Sequence, residues 1–453
     1  MYDLIVIGAG PGGYLCAQRA AEAGFRVCLF EEKELGGVCL NEGCIPTKTL
    51  LYSSKLYRRT LGSENFGVTT TGVSYDHQSV INRKNKVVDT LVRGVGNKLS
   101  SLKVDIVYDS AVITGRQNNV FFVEADGEVF SSGRLCIATG SETIIPPIPG
   151  LQEALARGHA VTNREILDMQ KLPESLAVIG GGIIGLEMAF YFSSVGVNVS
   201  LFEMLDRPAA SMDTDVSRAL LAECGKRGIT VHLSCRVTEI SENKLFFEDT
   251  KGTGTLPCDL ILLSAGRRPR TTGLGLETLG IETDHGLIVT DKHLCTNMTN
   301  VYAVGDCNGK LMLAHTAYRE AEVAVNHMLG YKDEIRYENI PTVAYTDPEA
   351  ASVGLTLEEA LNRGFRAKSV KTPLQYSGRF IAETENSSGF CKIVVDTANN
   401  RLLGLQIIGP YSSEIILAAE LMLDTELSPE RLKKLVFPHP SIGEVIRESI
   451  FRI

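Results

Sequence analysis

Asp3-Leu4-Ile5-Val6-Ile7-Gly8-Ala9-Gly10-Pro11-Gly12-Gly13 and Leu176-Ala177-Val178-Ile179-Gly180-Gly181-Gly182-Ile183-Ile184-Gly185 decide the fold. Each is a short apolar run, as a buried parallel strand requires, broken by G-x-G-x-x-G. Each leads into a helical stretch, Tyr14 to Ala23 and Leu186 to Val195, and then a second strand, Arg26 to Phe30 and Val197 to Phe202. Those strands end in Glu31 and Glu203. The interval between first glycines, 180 − 8, and between acids, 203 − 31, is 172 residues in both cases. One fingerprint alone is weak; two in the same register, each with its acid, predict two dinucleotide-binding βαβ units.

The glycines act through what they lack. The first allows a tight turn, the second lets backbone approach a pyrophosphate, and the third lets helix and strand pack closely. The pyrophosphate rests on a helix N-terminus, where free N–H groups favour negative charge. Glu31 and Glu203 stand where ribose hydroxyls would be bound, and a carboxylate repels a 2′-phosphate. Glu203, with Gly185 as third glycine, therefore predicts NAD rather than NADP.

The chain has 453 residues, room for roughly three domains at ~150 residues each. It is 44% hydrophobic, which excludes a largely disordered protein. The net charge of −9 argues against general binding to nucleic acid or membrane surfaces. No apolar run approaches the ~20 residues that span a bilayer, and Met1-Tyr2-Asp3 lacks the basic region of a signal peptide. A cytoplasmic protein is expected. Ile144 to Gly150 reads as a stiff linker, Leu260 to Leu263 and Asn300 to Val304 as strands, and Ala265 to Pro269 as the end of the second unit. After Asp333 the pattern changes. Strands at Thr342 to Tyr345, Cys391 to Val395 and Leu402 to Ile408, with helices at Ser412 to Asp424 and Pro429 to Val436, predict a separate α+β domain without a nucleotide fingerprint.

Of eleven cysteines, nine are scattered singly: Cys16, Cys28, Cys136, Cys224, Cys235, Cys258, Cys295, Cys307 and Cys391. These read as small buried apolar residues rather than a secreted disulfide framework. Cys39 and Cys44 differ. They lie in Gly36-Gly37-Val38-Cys39-Leu40-Asn41-Glu42-Gly43-Cys44-Ile45-Pro46-Thr47-Lys48, and Cys44 precedes a helical run, Thr47 to Tyr57, whose dipole would favour a thiolate. No further Cys or His stands near enough for a zinc site. In Pro438-His439-Pro440-Ser441-Ile442-Gly443-Glu444 an acid follows a histidine by five residues, the arrangement of a base and the group that orients it.

Taken in order, Gly8 to Gly13, Gly36 to Lys48, Gly180 to Glu187, Ala265 to Pro269, Val304-Gly305-Asp306, Met312-Leu313-Ala314-His315 and His439 to Glu444 resemble the pyridine nucleotide–disulfide oxidoreductases. The likeness covers essentially the whole chain. Cys39-Leu40-Asn41, Gly185 and Glu203, with Tyr345-Thr346-Asp347-Pro348-Glu349, are most similar to the branch that oxidises dihydrolipoamide with NAD⁺.

The resemblance implies an α/β fold with two Rossmann-like domains and a C-terminal α+β dimerisation domain. Residues 1–143 and 270–335 would bind FAD, 144–269 NAD, and 336–453 would form the dimer interface. It places FAD against Gly8, Gly10, Gly13, Glu31, Lys48, Ala111, Thr139, Gly140, Ser141, Asp306 and Ala314. NAD falls against Gly180, Gly182, Gly185, Glu203, Val237 and Gly266. Cys39 would exchange with substrate and Cys44 would contact the flavin, the two forming the redox disulfide. Glu187 would pair with Lys48. His439, held by Glu444, would serve as base for the other subunit of a homodimer. A lipoyl-bearing protein of a 2-oxoacid dehydrogenase or glycine cleavage complex would bring the substrate.

Family members commonly carry His-Ala before the catalytic histidine, where this chain has Phe437-Pro438. Glutathione-type branches favour a basic residue at Glu203. Mercuric and high-molecular-weight thioredoxin reductases carry a C-terminal redox pair absent from Ser449-Ile450-Phe451-Arg452-Ile453. Mycothione-type reduction is a further branch of the same chemistry. A non-catalytic flavoprotein would be expected to lack Cys39, Cys44 or His439.

Overall fold

A computed structural model describes residues 1–385 and 387–453. The strand Leu4–Ile7 is the middle of a five-stranded parallel sheet, in the order Val301–Ala303, Leu135–Ile137, Leu4–Ile7, Val27–Phe30, Asp105–Val107. The strand Ser175–Ile179 is the middle of a second one, in the order Thr230–His232, Asn198–Phe202, Ser175–Ile179, Leu260–Leu263, Ala160–Val161. All four residues of Leu4–Ile7 and of Val27–Phe30 are buried, which is why both read as unbroken apolar runs.

The repeat holds at the level of pairing. Leu4 pairs with Val27 and Ile7 with Phe30; 172 residues on, Leu176 pairs with Val199 and Ile179 with Phe202. Each unit also carries a three-stranded antiparallel meander, Val112–Gln117 to Glu128–Ser132 in the first and Arg236–Ser241 to Gly252–Pro257 in the second. The second part of the chain returns to the first sheet through Val301–Ala303, which pairs with Leu135–Ile137.

From Thr342 onward the pairing is antiparallel, in the order Thr342–Ala344, Glu349–Gly354, Arg401–Gly409, Phe390–Asp396, Ala367–Pro373. The helices Ser412–Asp424 and Glu444–Phe451 pack on this sheet around Ile393, Leu405, Ile416 and Ile446. The expected helix Pro429 to Val436 is shorter, Pro429–Leu432. Beyond it the chain runs toward Phe437-Pro438, where the proline disfavours helical backbone in its predecessor, and Val436 is 95% exposed. Of the nine scattered cysteines eight are buried; Cys295 is half-buried.

Candidate active site

Both glycine turns are built alike. Gly8 and Gly180 sit at φ +98° and +109°, and a side chain on either would strike the carbonyl of Ala138 or of Ser264. A Cβ on Gly13 would lie 1.8 Å from Gly8 O, and one on Gly185 2.0 Å from Gly180 O, so the third glycine is required by packing. The second glycine is different. Among the described residues, no atom beyond its own neighbouring stretch of chain lies within 4 Å of a Cβ position on Gly182, and on Gly10 such a Cβ meets Gly37 Cα at 4.0 Å.

The helices that follow, Pro11–Glu22 and Ile183–Ser194, begin after Gly10 (φ −69°, ψ −175°) and Gly182 (φ −69°, ψ −176°). Neither N-terminus is capped by a side chain. Open space beside uncapped N–H groups is what a pyrophosphate fills. FAD at the first turn and NAD at the second fit the residues present.

The strand-end acids act on their own turns. Glu31 Oε2 accepts the Ala9 N–H at 2.8 Å, and Glu203 Oε2 accepts the Gly181 N–H at 2.7 Å. The other oxygens accept from Lys33 N–H at 3.0 Å and Leu205 N–H at 2.8 Å. Each carboxylate thus anchors its glycine loop before any ligand arrives. Burial pushes the Glu31 carboxyl up, opposed by those two N–H donors.

Ala111 is buried just ahead of the first meander, and Ala314 opens the helix Ala314–Met328. Thr139 and Gly140 hold the chain at Arg270: Thr139 Oγ1 donates to Arg270 O at 2.5 Å, and Arg270 N–H donates to Gly140 O at 3.0 Å. Ser141 Oγ donates to Asp306, and Arg267 Nε donates to Ser141 Oγ at 2.7 Å. In the second unit Val237 is buried against Ile179 and Phe202. Gly266 adopts φ +112°, with Ile144 beside it.

The two redox candidates lie on consecutive helices, Gly37–Glu42 and Cys44–Leu61. Cys44 does not precede its helix but begins it. Pro46 is tolerated there because N–H groups of the first turn have no intrahelical acceptor. Asn41 Nδ2 donates to Leu35 O at 3.0 Å and Gly37 O at 2.9 Å, tying the Cys39 helix to the loop before it. Asn163 Nδ2 donates to Glu42 O at 2.7 Å, and Arg164 meets the Glu42 carboxylate at 2.7 Å, bracing the segment from the second unit.

Cys39 and Cys44 carry free, partly exposed thiols, and the largest influence on each is the other. Cys39 is pushed well up by its neighbour and by burial. Cys44 is drawn down to about 7 by the Cys39 side chain, with the Lys48 ammonium adding to the effect against burial. One thiol is thus set to ionise first.

Lys48 Nζ donates to Glu187 Oε2 at 2.9 Å and Oε1 at 3.2 Å, and lies 4.5 Å from the centroid of the Tyr345 ring. Glu187 is 3% exposed and also accepts the Tyr345 N–H at 2.9 Å. The pair therefore joins the cysteine helix, the helix of the second turn and the last unit. Burial pulls Lys48 down, but Glu187 and Cys44 outweigh it and the net shift is upward.

His439 lies apart from the thiols. Its Nδ1 is 2.8 Å from Glu444 Oε1, and Glu444 Oε2 accepts the Ser441 N–H at 2.8 Å. That backbone donor is the main reason the Glu444 carboxyl is held down. The His439 side chain is 78% exposed, and none of its hydrogen bonds among the described residues reaches Cys39 or Cys44.

The pyridine nucleotide-disulphide oxidoreductase family model matches residues 2–321, and the dimerisation domain of the same family matches residues 340–450. This chain belongs to the pyridine nucleotide-disulphide oxidoreductases. Relatives include the dihydrolipoyl dehydrogenases of Chlamydia muridarum (35% identical over 99% of this chain and 96% of the relative) and Bacillus subtilis (34%, over 99% and 97%). The mitochondrial dihydrolipoyl dehydrogenase of Pisum sativum is 33% identical over 99% of this chain and 90% of its own.

Among solved structures, the HOCl-induced flavoprotein disulfide reductase RclA from Escherichia coli superposes with a TM-score of 0.86 at 27% identity, covering 99% of both chains. LpdA from Mycobacterium tuberculosis, at 24% identity and a TM-score of 0.89 over 99% of both chains, shares the fold. Pyridine nucleotide-disulphide oxidoreductases of the dihydrolipoyl dehydrogenase type use FAD and NAD(H). Among the described residues no helix is long and apolar enough to cross a membrane, and no cluster of His, Cys, Asp and Glu is suited to a metal ion.

Proposed function

We propose that this chain is an FAD-dependent dihydrolipoamide dehydrogenase that oxidises protein-bound dihydrolipoamide to lipoamide, with NAD⁺ as hydride acceptor. The observation that carries the reading is the pairing of Cys39 with Cys44 at a helix start beside the Lys48–Glu187 ion pair. Full-length similarity to dihydrolipoyl dehydrogenases supports the choice of substrate.

In the oxidised protein Cys39 and Cys44 form a disulfide. His439 takes a proton from one substrate thiol, and the resulting thiolate attacks Cys39 Sγ, breaking the Cys39–Cys44 bond and releasing Cys44 as thiolate. The second substrate thiol then displaces Cys39 and passes its proton to that sulfur, which closes the lipoamide disulfide and leaves Cys39 as a thiol and Cys44 as a thiolate. Lys48 holds the Cys44 charge, and Glu187 fixes Lys48. Bound FAD supplies the two-electron relay between the dithiol and the nicotinamide. Gly8, Gly10, Gly13, Glu31, Lys48, Ala111, Thr139, Gly140, Ser141, Asp306 and Ala314 would hold FAD. Gly180, Gly182, Gly185, Glu203, Val237 and Gly266 would hold NAD⁺.

Residues 1–143 with 270–335 form the FAD-binding domain in this reading, supported by the return of Val301–Ala303 to the first sheet. Residues 144–269 bind NAD, and 336–453 make the interface of a homodimer, supported by the dimerisation-domain match. The exposed His439 then serves the partner's thiols. The lipoyl group arrives on a separate protein of a 2-oxoacid dehydrogenase or glycine cleavage complex. A cytoplasmic location is part of this reading.

Likeness to the RclA disulfide reductase favours one other reading, a reductase of a different disulfide through the same two cysteines. Cys39→Ser tests the shared core: dihydrolipoamide turnover should vanish with FAD still bound, and turnover like the wild type would refute the exchange role. Turnover of another disulfide, with none of dihydrolipoamide in the wild type, would favour the second reading.

A further inference from the structure

Beneath the turn that carries Asp306 lies a buried carboxylate. Glu320, in the helix Ala314–Met328, is 0% exposed. Its Oε2 accepts the Gly305 N–H at 2.5 Å and Asn308 Nδ2 at 3.0 Å, and its Oε1 accepts the Tyr337 hydroxyl at 2.6 Å. All three donors are neutral. The nearby cation, Lys310, is turned away: its Nζ donates to Asp291 O at 3.0 Å and sits 5.4 Å from the Tyr337 ring centroid.

A carboxylate enclosed in this way costs stability unless its acceptors are used, and here both oxygens are. Both donors on Oε2 belong to the short helix Gly305–Asn308. Within it Asp306 reaches the other way, to Ser141 Oγ, with Arg267 on the same hydroxyl. The donor on Oε1 lies in Tyr337–Asn339, just ahead of the strand Thr342–Ala344 that opens the antiparallel sheet. One buried side chain therefore grips the Asp306 turn with one oxygen and the entrance to the last unit with the other.

We propose that Glu320 is a positioning residue for FAD, fixing the Gly305-Asp306 turn against the bound cofactor and coupling that turn through Tyr337 to the start of the dimerisation domain. The inference rests on the FAD reading given above.

The test compares wild-type, Glu320→Gln and Tyr337→Phe holoproteins. FAD release is followed by the recovery of free-flavin fluorescence on dilution, the bound flavin by its visible band, and folding by thermal melting. In Glu320→Gln one donor meets an amide nitrogen and loses its acceptor. FAD should leave at least about tenfold faster, with a shifted visible band. Tyr337→Phe, which keeps the turn-facing oxygen, should release FAD about two- to threefold faster. A carboxylate that only packs its helix would lower the melting temperature and leave release and band unchanged, and that result overturns the proposal. If Glu320→Gln does not fold, Tyr337→Phe decides by the same criterion. Wild-type protein that holds no FAD overturns the FAD reading itself; wild-type protein that holds it, with variants releasing it no faster, overturns this inference alone.

Discussion

The Lys48 ammonium and the Glu187 carboxylate meet at 2.9 Å across 139 residues of chain. Lys48 lies one helical turn beyond Cys44, and Glu187 follows the third glycine of the second turn by two residues. Their contact sets the charge beside the Cys39 and Cys44 thiols. It also decides which way each substitution moves the Cys44 ionisation.

With excess reductant, the rate at which iodoacetamide alkylates Cys44, read on its peptide by mass spectrometry, should rise through a midpoint at about pH 7. The thiolate is the reactive form, so the rate falls below that midpoint and levels above it. Lys48→Met removes the cation that lowers the Cys44 pKa and should move the midpoint up. Glu187→Gln removes the anion that opposes Lys48 and should move it down. Shifts of the same sign in both variants would contradict this electrostatic account.

The second and third glycines of a fingerprint should fail differently. Gly182→Ala meets no protein atom at an ordinary φ of −69°, so melting should change by no more than about 0.5 kcal/mol while the KM for NAD⁺ rises about tenfold or more. Gly185→Ala puts a methyl 2.0 Å from Gly180 O and should destabilise the protein by about 2–4 kcal/mol. Calorimetry with NAD⁺ kinetics separates the two.

Glu203 anchors Gly181 and Leu205 and, in the proposed function, would also bind the ribose, so Glu203→Gln should weaken NAD⁺ without stopping chemistry. The KM for NAD⁺ should rise about tenfold, the preference over NADP⁺ should shrink, and kcat with NAD⁺ should stay within about twofold. A loss confined to kcat would place Glu203 elsewhere in the reaction.

His439 makes no hydrogen bond to the thiols of its own chain, which makes subunit complementation informative. Cys39→Ser and His439→Gln homodimers should each be inactive. After dissociation and random reassociation, half the dimers carry one intact pair, and activity should return to about a quarter of wild type. No recovery in proven mixed dimers would mean that His439 serves its own subunit.

Much of this was legible in the chain because glycine constraints are local. The 172-residue repeat, the strand-end acids and the two turns follow from spacing, and the strand pairing keeps the same offset. What spacing could not disclose is where the acids spend their hydrogen bonds: Glu31 and Glu203 hold Ala9 and Gly181 rather than waiting free for a ribose. The helix beginning at Cys44 was also obscured, because Pro46 reads as a breaker unless it falls in the first turn. Glu320 left no signal of its own, since only tertiary packing brings residue 320 under residues 305 and 308 and against 337. His439 and Glu444 were readable as a pair, their five-residue spacing closing to 2.8 Å.

The most direct measurement mixes the purified, FAD-loaded protein with dihydrolipoamide and follows NADH or NADPH formation with NAD⁺ and NADP⁺ offered separately. NAD⁺ should be reduced rapidly and NADP⁺ little, and both reactions should be lost in Cys39→Ser. Flavin reduced by NADH, with no turnover of dihydrolipoamide, would contradict the substrate assignment.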